Sequence, residues 1–320
     1  MSARLLAFLL RAIASAWLAV TLTFVLLRLL PGDGLTAQLR ESGATDSVIA
    51  ERQAALGLDA PLLVQYGRYV EALLRGDLGV SLLNGQPINS LIGAQVGSTM
   101  ELAIASLVVG AALGVGIGYV GGQSTLQRYR VSSRAICDGL RSVAGIVGIV
   151  ALSAPVIWTG TLGVWVFAAQ LDWLPAGGAG RLSQLILPAL VLGFATAGGI
   201  AQVTQRALGA IGREPYVQTA IAKGLSEWAV GIRHVLRVAL PLVITQMGIQ
   251  SGYLLSGAVV TESMFSRPGV GRLLLDAVLR QDYPLVQGIV LWMTLVVICV
   301  TALADMLALL ADARLRQSTL

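Results

Sequence analysis

YVQTAIAKGLSEWAVGIRHVLRVALP, residues 216–241, is a polar, positively charged stretch set between two runs apolar enough to lie in lipid. It contains the only lysine, Lys223, and the only histidine, His234, together with Arg233 and Arg237. Charges at this density do not enter a bilayer core unpaired. The stretch therefore reads as a loop that leaves the membrane and offers a surface to a soluble partner.

Outward from this loop the chain is apolar almost throughout. Hydrophobic residues make up 56% and charged residues 12% of it, with a mean hydropathy of +0.78. Soluble domains carry about 25% charged residues, so a soluble globule is excluded and lipid is the main solvent. A span needs roughly 20 mostly apolar residues, and six stretches qualify: about 8–30, 99–121, 141–169, 185–206, 237–261 and 285–310. None alternates like a barrel strand, so helices must satisfy the backbone. The predicted fold is an all-α integral membrane protein with six transmembrane helices. Residues 1–98 hold the first transmembrane helix and an outer segment; residues 99–320 form the core, with the loop at about 207–236.

The 37 glycines suit close packing of membrane helices, as at Gly110, Gly114 and Gly118 or Gly193, Gly198 and Gly199. Cys137 and Cys299 fall in or beside spans, and neither a disulfide nor a metal site is assigned to them. His234 has no second histidine or cysteine near it and makes no metal site. Trp158, Trp165, Trp173 and Trp292 lie in or near span ends, where aromatic rings anchor to the interface.

Arg4 and Arg11 precede the first apolar run, which is long for a signal-peptide core and is read as a retained anchor with the N-terminus inside. The larger share of the 22 basic residues then falls on one side of the membrane. Together with Arg4 and Arg11, these are Arg128, Arg130, Arg134 and Arg141, then Arg206, Arg213, Lys223, Arg233 and Arg237, then Arg314 and Arg316. By the positive-inside rule that side is cytoplasmic, with both termini on it. The segment 31–98 is acidic and translocated. Its Tyr66, Val70, Leu73 and Leu74 share one side of a predicted helix on the outer surface. The net charge of +5 is thus a matter of topology and not of nucleic-acid binding.

Tyr216 to Ser226 reads Y-V-Q-T-A-I-A-K-G-L-S and resembles the coupling loop of binding-protein-dependent ABC importer permeases, in the version of the dipeptide, oligopeptide and nickel branch. That family's signature is E-A-A with a glycine four residues after the second alanine. Gln218, Thr219, Ala220 and Gly224 stand there, with the glutamate and first alanine replaced. Further segments of the branch recur in order. They are Leu30-Pro31-Gly32-Asp33, Leu56 to Leu62, Val64-Gln65-Tyr66, Arg75 to Gly79, Trp173-Leu174-Pro175, Ile186 to Leu190, Arg233 to Arg237, Glu262 to Arg272 and Asp282 to Gln287.

The resemblance implies a type I ABC importer permease in a bacterial or archaeal plasma membrane, forming half of a translocation pathway. Its expected partners are a second homologous permease, two ABC ATPase subunits, an extracytoplasmic substrate-binding protein and membrane lipid, with no nucleic acid. ATP and Mg would be bound by the ATPases and no cofactor by this chain, which is not expected to be an enzyme. The candidate coupling residues are Tyr216, Gln218, Thr219, Ala220, Lys223, Gly224, Leu225 and Ser226. The candidate gate or pathway residues are Glu262, Phe265, Pro268, Gly269 and Glu101. Peptide, glutathione, opine, nickel and metal-chelate transporters share these motifs, so the solute stays open.

The loop's chemistry fits that role. Ala220 and Gly224 fall four apart and are expected to share a shallow outward face that enters a groove on a partner. Gly224 suits a left-handed helix end, Ser226 can cap the next helix with Glu227 in its first turn, and Leu225 with Val230 would form a hydrophobic staple. A P-loop needs G-x-x-x-x-G-K-[ST], but Lys223 is followed by Gly224 and Leu225, so this chain lacks that route to ATP hydrolysis. Glu101, Glu262 and Asp305 lie near span ends where they can reach water or headgroups. An ion-coupled secondary transporter would show internal repeats and a charged mid-membrane cluster, and an intramembrane enzyme a G-x-S-x-G or H-E-x-x-H motif. The sequence has none of these.

Overall fold

The computed structural model describes residues 2–29, 34–41, 43–55, 57, 59–122 and 134–311. The Leu30-Pro31-Gly32-Asp33 motif, Arg128, Arg130, Arg314 and Arg316 lie outside the described residues, as do the side chains of Arg4, Arg134, Cys137 and Glu227. The chain divides into two units, one of residues 1–99 with 268–296 and one of 100–267 with 297–320.

In the first unit, α1 (Ser2–Leu29) carries the first span, Phe8–Leu29. Short helices α2 (Gly34–Glu41) and α3 (Asp46–Ala55) lead to α4 (Leu62–Leu74), which starts directly after Pro61. This is the helix expected in the outer segment. It lies against α1 through Tyr66, whose hydroxyl shares a 2.7 Å hydrogen bond with that of Thr21. The Tyr66 ring meets Trp17 and Phe24 edge-on, and Phe24 stacks on Tyr69. Leu74 does not join that face; it ends the helix 83% exposed, and Tyr69 packs in its stead. Burial, and then the neighbouring Tyr66 phenol, push the Tyr69 hydroxyl up to about 12, so it stays neutral in the contact.

A small hairpin follows, closed by an antiparallel bridge between Val80 and Pro87. The buried carboxylate of Asp282 holds it, accepting from the Ser81 hydroxyl and, at 3.1 Å, from the Leu82 amide. Pro87 then leads into α5 (Ile88–Gly122), which begins well before the span expected at 99. Asn89, Ser90, Gln95 and Ser98 make its first turns too polar to stand out in a hydropathy reading, but helix formation itself needs no apolar run. Ile88 and Ile92 pack with Leu27, with Val270 and Ala277 of α12 (Val270–Leu279), and with Tyr283 to Ile289 at the start of α13 (Tyr283–Ala311).

The second unit is built around α8 (Leu182–Ile211), two thirds of whose apolar window is buried inside the protein. The α5 glycines meet it. A Cβ on Gly114 would stand 2.6 Å from the Ile200 Cβ and 2.8 Å from the Ala197 carbonyl oxygen, and one on Gly118 would stand 2.5 Å from the Ala201 carbonyl oxygen. Backbone touches backbone here, the arrangement small residues permit in membranes. On another side of α8, Gln250 of α11 (Arg237–Met264) donates to the Thr196 carbonyl oxygen at 3.1 Å.

The span expected at 141–169 is not a straight rod. α6 (Arg134–Ser153) and α7 (Val156–Gly163), with the π-helical run Val164–Gln170 after it, are bent by 110° at the break before Val156. Pro155 lacks an N–H and its ring disfavours helix at Ala154, so the ladder stops there; apolar content on both sides concealed the break. The other candidate spans are Phe8–Leu29, Ile88–Gly122, Leu182–Ile211, Trp228–Met264 and Tyr283–Ala311, the second and fourth of which begin ahead of the stretches expected; with the bent pair as one, the described residues hold up to six.

Candidate functional site

The loop joins two long helices of the second unit. α8 ends at Ile211, and Pro215 opens α9 (Pro215–Ala222), where its missing N–H costs nothing. α9 stops at Gly224, whose φ of +84° is the left-handed geometry that glycine adopts freely. The Leu225 amide reaches back to the Ala220 carbonyl and the Gly224 amide to that of Ile221, the paired bonds of a Schellman end. Ser226 then caps α10 (Glu227–Val230), its hydroxyl accepting from the Ala229 amide at 3.2 Å. A π-helical run, Gly231–Leu236, carries the chain into α11. Pro241, one turn into α11, would crowd the Arg237 carbonyl in a regular helix, and this wider run ends beside that point.

The loop is packed onto its own spans. Val217, Ala220, Val230 and Val235 are buried with Tyr119 of α5 and Leu208 of α8, and Ile211 and Ile221 close the cluster. Trp228 stands edge-on to Tyr119, with ring centroids 5.3 Å apart. Gly231 lies so close under the Tyr119 ring that any Cβ there would strike its hydroxyl.

This geometry corrects one expectation. Ala220 is 8% exposed and faces this inner cluster, so it does not share an outward face with Gly224. The helix turns Val217 and Ala220, three apart, toward Tyr119, and the Schellman turn then carries Gly224 outward. The outer face is formed instead by Tyr216, Thr219, Lys223, Gly224, Leu225 and Ser226. Gln218 is half-buried and braces the loop, donating from Nε2 to the Gly212 carbonyl at 3.1 Å. Of the expected staple pair, Val230 is fully buried while Leu225 is 45% exposed.

The candidate pathway residues are distributed differently. Glu262, expected to reach water near a span end, is fully buried, as is Phe265. Both lie at the end of α11, where Ser266 is left-handed and the Arg267 amide returns to the Glu262 carbonyl at 2.8 Å. The Arg267 side chain, 1% exposed, pairs with Glu101 of α5 at 2.5 Å, and the Glu101 side chain is 54% exposed. Glu101 thus ties α5 to the end of α11. In the first unit, Pro268 is exposed, and Gly269, buried with an extended backbone, precedes α12. Asp305 is exposed.

Sequence reasoning passed over Tyr119, Trp228, Gly231 and Arg267 as site residues. A glycine one turn after a loop tryptophan was the available signal for Trp228 and Gly231, and nothing local pointed to Tyr119. Arg267 was visible only as one letter of a motif.

Residues 139–317 match the family described as "Binding-protein-dependent transport system inner membrane component". The glutathione transport system permease protein GsiC of Salmonella paratyphi A is 37% identical, across 93% of this chain and 94% of its own length. The di/tripeptide transport system permease protein DppB of Pseudomonas aeruginosa is 34% identical, across 92% and 93%. Among solved structures, an inward-facing MetNI methionine ABC transporter chain superimposes with a TM-score of 0.55 at 16% identity, covering 69% of this chain and 96% of that one. That last likeness speaks for the fold alone.

Proposed function

Because the chain belongs to the family of binding-protein-dependent transport system inner membrane components and is a permease subunit of an ABC importer, we propose that it forms half of a pathway for short peptides or peptide-like solutes such as glutathione, moved through the turn at Lys223–Ser226 by partner ATPases. The observation that carries this reading is the loop's construction. Its inner face is locked to α5 and α8 by Tyr119, Leu208, Val217, Ala220, Val230 and Val235, while Tyr216, Thr219 and Lys223 to Ser226 stand outside. A projection fixed to two spans passes a push into both; a loose one would absorb it. Two ATPases, a second permease and an extracytoplasmic binding protein complete such an assembly. The relatives' names supply the solute class.

The test is coupling in the assembled complex. A side chain at Gly224 meets open space within this chain but holds a left-handed backbone at a cost of about 1 to 2 kcal/mol. Gly224→Asp adds a charge to the contact face as well. Overfilling such a contact costs about 1 to 3 kcal/mol, so ATPase recovery or substrate-stimulated hydrolysis is expected to fall roughly tenfold while the permease still inserts. Lys223→Ala leaves the turn's backbone alone and is expected to change coupling less. Normal coupling in Gly224→Asp would remove this loop from the role.

The same reading sets the loop in the cytoplasm and the segment 31–98 outside. In a chain with Cys137 and Cys299 replaced by serine, a cysteine at Lys223 is expected to react with a membrane-impermeant maleimide only from the cytoplasm. A cysteine at the exposed Asn84 should react only from outside. Labelling of both from one side would overturn the topology.

A further inference from the structure

Beside the coupling turn, the π-helical run and the start of α11 frame an open cavity of about 660 Å³ lined by Ile232, Arg233, His234, Leu236, Arg237 and Leu240. We propose that this cavity holds the headgroup of an anionic phospholipid from the leaflet on the loop's side of the membrane. Its phosphate would lie between Arg233 and Arg237, with His234 at the rim and an acyl chain running along Leu236 and Leu240.

Three observations carry this. The lining is divided chemically: two arginines and a histidine supply the polar atoms, the other three residues are aliphatic, and no acidic residue lines the cavity among the described residues. Arginine keeps its charge at any physiological pH and offers a fork of donors matched to phosphate oxygens. The aliphatic residues form one helical stripe, Ile232, Leu236 and Leu240, with Ile232 39% and Leu240 43% exposed. That stripe lies within the apolar run Trp228–Met264. A soluble anion would use the arginines and leave the stripe bare, whereas a phospholipid covers both. Finally, Trp228, one turn before the cavity, is 62% exposed. An exposed indole at a span end sits at headgroup level, the depth at which a lipid phosphate meets Arg233.

The site shares no residue with the face assigned to coupling and does not depend on that assignment. A lipid held here would fix the segment through which α10 becomes α11.

The probe is phosphatidylglycerol, added to the full transporter complex in mild detergent and followed by native mass spectrometry, with phosphatidylcholine as the zwitterionic comparison. Wild type is expected to retain one phosphatidylglycerol that phosphatidylcholine does not replace. Each arginine near a phosphate contributes enough that Arg233→Gln with Arg237→Gln should weaken retention roughly 30-fold. Arg233→Lys with Arg237→Lys keeps the charge and is expected to restore most of the binding, which separates a binding defect from a folding one. Arg206→Gln, on α8 and outside the lining, should leave retention unchanged. Equal retention by wild type and the double glutamine variant overturns the proposal. So does equal protection by millimolar glycerol phosphate, which would make the cavity a site for soluble phosphate. Loss of the ATPases from the double glutamine variant with its lipid retained would assign these arginines to the ATPase contact and likewise overturn it.

Discussion

Gly114→Leu is expected to leave almost no folded permease. At this position α5 and α8 touch through their backbones, and the first side-chain carbon would fall 2.6 Å from the Ile200 Cβ and 2.8 Å from the Ala197 carbonyl oxygen. The second of these neighbours is main chain and cannot rotate away. Even alanine would force the helices apart, and leucine adds three further carbons to a contact with no space. Overpacking of this kind costs about 3 kcal/mol or more, a large fraction of the roughly 5 to 15 kcal/mol that holds a typical protein folded. Gly116 supplies the control, because it lies on the same helix two residues on and has nothing within 4 Å of a Cβ. Gly116→Leu is therefore expected to insert and elute as wild type does, while Gly114→Leu aggregates or is degraded. Size-exclusion recovery after detergent extraction, with thermal unfolding of whatever survives, reads the difference. Identical behaviour of the two variants would mean that the α5–α8 contact does not hold the fold.

The second large effect is expected at Glu101. Its partner Arg267 is 1% exposed, so Glu101→Ala leaves a guanidinium without this carboxylate in a place water reaches poorly. Removing one member of a fully buried pair costs about 3 to 5 kcal/mol. Because the Glu101 side chain is 54% exposed, solvent screening lowers that to about 2 kcal/mol. Arg267→Met in the Glu101→Ala background removes the buried charge that Glu101 served and keeps an unbranched side chain in the space, so the double variant is expected to recover part of the loss. The reading is the melting temperature of each purified complex, set out as a double-mutant cycle. A pathway residue would behave otherwise: Glu101→Ala would raise the KM for transport and leave the melting temperature alone.

What could be read in advance divides along physical lines. Spans are long-range averages of apolarity, so five of them lie near the places their composition marks. The break at Gly224 was legible because a left-handed helix end leaves a local trace, glycine followed by a capping serine. The facing of Ala220 was not, because a small residue four places from a glycine reads the same turned inward or outward; only Tyr119, from a helix far off in sequence, decides it. The Arg267–Glu101 pair joins residues 166 apart, a distance at which neither residue's neighbours report the other. The bend at Pro155 was written in the sequence but averaged away, since one proline is diluted in a long hydropathy window of apolar residues. The early start of α5 was hidden for the opposite reason, because its polar first turns form helix as readily as loop.

The π-helical run Gly231–Leu236 also determines where a length change can be tolerated. Such a run is an α-helix carrying a surplus residue in one turn. Deleting one residue within it would let the turn rewind as α-helix and leave α10 and α11 in their present phase, with Val230 and Ala239 still facing inward. The same deletion a few positions on, within the regular turns of α11, would swing every later side chain by about 100° and bring Gln250 out of reach of Thr196. Natural homologues that differ by a single residue in this stretch are accordingly expected to carry the gap between 231 and 236.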